Sequence, residues 1–264
     1  MKATLRLLVP MFLLLFATAA GAAELKETID RTFDVRPGAS VVLSNVNGAI
    51  RVTSWEQPRV RVIAKKEVHA DRKEVQAVLR GLRVEIQPRD GGLVITTHYP
   101  QHHDGVSSFF DWILGEGVSR EVEYELTVPR AMNLDISNTN GSIRLSQVNG
   151  THDLETTNGR IELSRCGGAV DASTTNGSIN AELLNVAKGK PLSFHTTNGR
   201  IEIAVPPTLA VDVDAGTTNG SIKTDLPVAT TRVGRNSLRG SINGGGTSLR
   251  MRTTNGGIEI RTVQ

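Results

Sequence analysis

The sequence predicts an all-β protein: a parallel β-solenoid of about seven coils, preceded by a β-rich segment with one short helix. Three observations predict it. A phrase built on Asn-Gly-x-Ile recurs at near-constant spacing. Its flanks alternate apolar and polar residues with period two. Glycine is abundant, at 26 of 264 residues, whereas aromatics make up only 4%. A repeat of this period reads as a stacked architecture, and the alternation reads as strands with one buried face.

The elements follow in chain order. Lys2 and Arg6 form a short basic n-region, Leu7 to Ala20 is an apolar run broken by Pro10, and Ala20-Gly21-Ala22 offers small residues for cleavage. Residues 1–22 therefore read as a secretory signal peptide, with cleavage after Ala22. The run is too short for a membrane span, which needs roughly 20 apolar residues. No later segment is apolar enough to span a membrane, so the mature chain is expected in the periplasm or outside the cell. Without Lys2 and Arg6 the 30 basic residues fall to 28 against 27 acidic ones, a net charge of +1. That balance gives no general electrostatic case for nucleic acid. A single cysteine excludes an internal disulfide and a Cys-rich zinc module.

Residues 23–130 form the less regular segment. Phe33 to Val62 reads as strands around an early corner, Asn47-Gly48. Asp71 to Leu82 places Val75, Val78, Leu79 and Leu82 on one helical face. Leu82–Ile86, Leu93–Thr97 and Val122–Val128 read as strands. An aromatic excursion, 99–120, separates the last two. It holds Phe109, Phe110, Trp112, Ile113 and Leu114, a compact apolar patch. Such a patch either caps the open end of a solenoid or contacts a partner or a membrane surface through 107–115.

Residues 131–264 carry the repeats. The corners are Asn140-Gly141, Asn158-Gly159, Asn176-Gly177, Asn198-Gly199, Asn219-Gly220 and Asn255-Gly256, with a degenerate copy at Arg239-Gly240. From Ile143 through Ile161, Ile179, Ile201, Ile222 and Ile242 to Ile258 the steps are 18, 18, 22, 21, 20 and 16 residues. In a solenoid these isoleucines form one inner column in chain order. Asn-Gly is expected to supply the positive φ of each corner. The alternative is an antiparallel meander or roll of Asn-Gly hairpins. It sets Glu155 against Glu162, Asp171 against Glu182 and Asp214 against Asp225, which is unfavourable. The solenoid has its own awkward column in Asp135, Asp153 and Asp171.

The spaced Asn-Gly-x-Ile phrases, the Asn47-Gly48 copy and the Val128-Pro129-Arg130 step resemble the bacterial putative-adhesin family of β-strand-repeat domains of unknown function. The resemblance covers the chain from about Thr32 onward. It implies an exported β-helix-like protein with a role in adhesion or the cell envelope, and no functional residue is carried over with it.

Candidate chemistry is sparse. Glu162, Glu202 and Glu259 share one outward slot, the arrangement a polysaccharide-cleaving β-helix would use for acid and base. Interleaving with Arg144, Asn180 and Lys223 reads instead as a solvated, charge-balanced face. The Asp column is a weak cation candidate. His102-His103-Asp104 reads as a solvated loop, Cys166 as a core or turn residue, and the Asn-Gly-Ser/Thr sequons as by-products of the corner phrase. One outward threonine column is a thin basis for ordering water. The reading is a non-enzymatic envelope-interaction module without cofactor or metal, whose partner is an envelope protein or a surface glycan. The alternative is a polysaccharide-binding or polysaccharide-cleaving protein that uses the outward carboxylates.

Overall fold

A computed structural model describes residues 13–16, 22–71, 75–99, 119–186 and 189–263. The protein is all-β with one helix, and its strands form a sheet that curves into a nearly closed, solenoid-like shape. In chain order the strands are β1 (Leu13–Phe16), β2 (Ala22–Asp34), β3 (Ser40–Ser44), β4 (Ile50–Trp55) and β5 (Arg59–Asp71). Helix α1 (Val75–Gly81) follows, then β6 (Arg83–Arg89), β7 (Gly92–His98) and β8 (Ser119–Pro129). The repeats form β9 (Asn133–Asn140), β10 (Ile143–Ser146), β11 (Asn149–Asn158), β12 (Ile161–Asn176), β13 (Ile179–Val186), β14 (Leu192–Asn198) and β15 (Ile201–Val205). The chain ends with β16 (Val211–Asn219), β17 (Ile222–Thr224), β18 (Ala229–Gly234), β19 (Ser237–Ile242), β20 (Thr247–Asn255) and β21 (Ile258–Thr262).

Two rows of parallel strands organise the molecule. One row runs β7, β3, β9, β11, the second half of β12, β14, β20, β16. The other runs β8, β4, β10, the first half of β12, β13, β15, β21, β17. The Asn-Gly phrases join one row to the other. They are not hairpins: β9 pairs with β11, and β10 with β12, both in parallel. The like-charge facing that a meander would impose is thereby avoided.

The alternating pattern places one side of every strand inside. Tyr124, Ile50, Ile143, Ile161, Ile179, Ile201, Ile258 and Ile222 fall in one register column. All are buried except Ile222, which is half-buried at the end of the row. Each buried isoleucine contributes roughly 1.5–3 kcal/mol. The facing row supplies Leu43, Ile136, Leu154, Ala172, Phe194, Met251 and Ala215.

Spatial order departs from chain order. The last strands, β20 and β21, lie between β14–β15 and β16–β17. The column therefore runs from Ile201 to Ile258 to Ile222. Ile242 is not in it: β19 lies antiparallel to β16, with Ile242 opposite Val211, and β18 lies antiparallel to β19. Arg239-Gly240 is thus no corner. The phrase Ser237-Leu238-Arg239-Gly240 lacks the asparagine that links one corner to the next, and the intact phrase at 253–258 takes the position instead.

The early Asn47-Gly48 copy is equally integral, because β3 and β4 pair directly with β9 and β10. Helix α1 is shorter than the 71–82 pattern. Val75 and Leu79 are buried, as is Leu82 just beyond the helix, and Val78 packs on the core. An antiparallel extension, β8–β5–β2, continues one row, with β1 on the outer edge of β2. Strand β6 closes the β7 edge.

Candidate functional site

The corner phrases build a continuous polar ladder. Each asparagine side chain donates its Nδ2 hydrogen to the Oδ1 of the next, at 2.7–2.8 Å. The order is Asn219, Asn255, Asn198, Asn176, Asn158, Asn140, Asn47. Backbone bonds at the same corners run the other way, as in Gly159 N to Asn176 O and Gly177 N to Asn198 O. The two sets of dipoles oppose each other. The inward threonine of each phrase adds a third contact. Thr156, Thr174, Thr196, Thr253 and Thr217 donate to the carbonyls of Gly141, Gly159, Gly177, Gly199 and Gly256 at 2.8–3.1 Å. Asn138 takes the threonine's place on Gly48.

Glycine is required here for close approach. A Cβ on Gly177 would lie 1.9 Å from the Gly159 carbonyl oxygen, and one on Gly199 would lie 1.9 Å from that of Gly177. The expectation of positive φ is corrected. Among the corners, Gly48, Gly141 and Gly256 have positive φ, whereas Gly159, Gly177, Gly199, Gly220 and the corner asparagines do not. Stacking at strand spacing leaves no room for a side chain, and this holds at all the corners.

A buried polar network lies at the Asn47 end. The Tyr99 hydroxyl accepts the Asn47 N–H at 2.9 Å and lies 3.1 Å from Asn45 Oδ1. Asn45 Nδ2 donates to the carbonyls of Asn47 and Val122. Tyr124 and Thr97 share a 2.6 Å bond between hydroxyls. Burial pushes the Tyr99 hydroxyl up to about 12 and the Tyr124 hydroxyl up as well. Both are therefore neutral hydrogen-bonding groups. Tyr99 opens the aromatic excursion and seats its first residue on the ladder end. Residues 100–118 lie outside the described residues, and with them Phe109, Phe110, Trp112, Ile113, Leu114 and His102-His103-Asp104. The sequence reading missed this network, because its members span three separated segments and share no motif.

The outward carboxylates are engaged in ion pairs. Glu162 meets Arg144 at 2.7 Å, and Arg261 bridges Glu202 at 2.8 Å and Glu259 at 2.9 Å. Arg261 holds the Glu259 carboxyl below the usual carboxylate range. Three carboxylates bound to guanidinium groups are poorly placed to donate protons. Asp153 lies between Asp135 and Asp171 in register. Partial desolvation and then the charges of Asp171 and Asp135 push its carboxyl up. The three do not converge on a common point as metal ligands would. Cys166 is buried, and burial raises its thiol above the usual range, the opposite of an activated nucleophile. His152 is wholly buried in the Leu134–Val170 column, and burial lowers its imidazole below the usual range.

Among solved structures, a putative cell adhesion protein from Clostridium sporogenes shares 11% identity at a TM-score of 0.43, covering 89% of this chain and 100% of its own. A putative adhesin from Bacteroides fragilis shares 11% identity at a TM-score of 0.27, over 89% of this chain and 97% of its own. A putative lipid binding protein from Parabacteroides distasonis shares 9% at a TM-score of 0.24, over 90% and 97%. None of the curated proteins matches the sequence. The Toastrack DUF4097 family model matches residues 40–261. The chain belongs to the Toastrack DUF4097 family. The match spans the Asn47-Gly48 phrase through the last corner, so in this Toastrack member the family region and the asparagine ladder coincide. It ends one residue short of the β21 terminus and excludes β1 and β2.

Proposed function

We propose that this chain is an exported, non-enzymatic scaffold that serves as an interaction module of the cell envelope, and that its two parallel rows are the walls of a β-helix. The observation that carries this reading is the ladder itself. The repeated asparagines and inward threonines are used inside it, in hydrogen bonds between neighbouring strands. The ion-paired outward carboxylates support a binding surface over a glycan-cleaving wall. No helix among the described residues is long and apolar enough to cross a membrane. Cleavage after Ala22 releases the mature chain to the periplasm or the exterior and removes β1 from β2. Specificity for an envelope protein or a surface glycan resides on the outward faces or at Phe109–Leu114, which also suits peripheral membrane contact.

Fractionation of cells producing the full chain, and a chain lacking residues 2–22, tests the reading. The full chain is expected outside the cytoplasm, shortened at Ala22, and associated with the envelope fraction. Deletion of 107–115 is expected to release it from that fraction without unfolding it. An unprocessed cytoplasmic protein overturns the export reading. Turnover of an acidic glycan that is lost in Glu202→Gln overturns the non-enzymatic one.

A further inference from the structure

Strands β2 and β5 carry a convergence of side chains that the ladder does not use and that does not depend on the envelope role. Their antiparallel register sets Glu24 opposite His69 and Lys26 opposite Glu67. All four point outward, away from the inward Leu25–Val68 pair. His69 Nε2 lies 3.6 Å from Glu24 Oε1 and 3.5 Å from Glu67 Oε1. Those separations are long for hydrogen bonds. They match the edge of a tetrahedral coordination shell, about 3.3 Å for ligands about 2.0–2.1 Å from a zinc ion. One atom from each of the three side chains lies within 4.8 Å of the other two.

We propose that Glu24, Glu67 and His69 form a binding site for one divalent cation of the zinc class on the outer face of β2 and β5. One imidazole with two carboxylates suits a borderline cation better than calcium or magnesium, which prefer all-oxygen shells. Glu121 stands across from Glu67 on β8 and supplies a further carboxylate on the same face. Lys26 already places a positive charge there, with Nζ 2.6 Å from Glu24 Oε1 and 3.2 Å from Glu67 Oε2. Its contact on Glu67 uses the oxygen that does not face His69, whereas on Glu24 it sits on Oε1, the oxygen that does, so an incoming cation must displace it there. A bound ion joins β2, the strand next to the leader, to β5.

Titration calorimetry with zinc chloride tests the site, with magnesium chloride as the hard-cation comparison. The expected result is one zinc per chain, at least tenfold weaker in His69→Ala and in Glu67→Gln, with no magnesium uptake. Lys26→Met is expected to bind zinc several-fold more tightly. That gain cannot arise from misfolding, and it separates this site from the histidines of 98–103. Absent zinc binding, or affinity that is the same in the wild type, His69→Ala and Lys26→Met, overturns the proposal.

Discussion

The side chain of Asn255 donates a 2.7 Å hydrogen bond to Asn198 Oδ1 across 57 residues of sequence. That bond places the last repeat inside the stack. Asn219 comes earlier in the chain, yet it lies outside Asn255 and donates to it in turn.

Truncation distinguishes this arrangement from stacking in chain order. Removing residues 247–264 takes out β20 and β21, the strands that connect β14–β15 to β16–β17. The shortened chain is expected to lose its cooperative thermal transition and to aggregate. In a chain-order stack the same deletion would remove one terminal coil and lower the melting temperature modestly. Differential scanning calorimetry reads the difference.

The ladder predicts a position-dependent cost. Asn176 makes two side-chain rungs, to Asn158 and from Asn198, whereas Asn219 makes one. At about 0.5–1.5 kcal/mol per bond, Asn176→Ala is expected to cost about 1–3 kcal/mol and Asn219→Ala about half as much. Urea denaturation monitored by circular dichroism measures both. Equal costs would contradict a connected ladder.

Gly177→Ala is expected to be severe, costing roughly 3 kcal/mol or preventing folding, because the added methyl meets a backbone oxygen that cannot swing aside. Gly216 provides the comparison. A Cβ there meets only the Arg252 side chain, at 3.5 Å, so Gly216→Ala is expected to fold normally. Soluble yield and melting temperature separate the two variants.

His152 predicts an acid-side loss of stability. Burial depresses its folded-state pKa, so the folded protein keeps the imidazole neutral while the unfolded chain takes up a proton below its ordinary value of 6.5. The stabilising difference is fully present above that value and is lost as the pH falls towards the depressed one. His152→Leu, between Leu134 and Val170, is expected to flatten the pH dependence of urea midpoints below 6.5. An unchanged slope would mean that other groups govern the acid limb.

Much of the architecture was legible before any coordinates. Period-two flanks gave the strands, the 75–82 face gave the helix, and the phrase Asn-Gly-x-Ile marked every corner of the asparagine ladder. The asparagine ladder was readable as a stacking preference, although its direction and its opposed backbone dipoles were not. The Tyr99–Asn45 and Thr97–Tyr124 hydrogen bonds and the Glu24–Glu67–His69 convergence left no local trace. Their members become neighbours only through pairing of strands tens of residues apart.

The sequence by itself determined which residues face inward and where the chain turns from one row to the other, but it counted the Arg239-Gly240 copy among the stacked repeats, from which the structure removes it. Only the tertiary structure decided which repeat lies on which. Intact phrases are chemically equivalent, so any two stack with the same asparagine, threonine and isoleucine contacts. Strand pairing at the end of the stack, where β19 folds back antiparallel on β16 and β18 on β19, breaks that equivalence. It leaves the interior position to the C-terminal phrase.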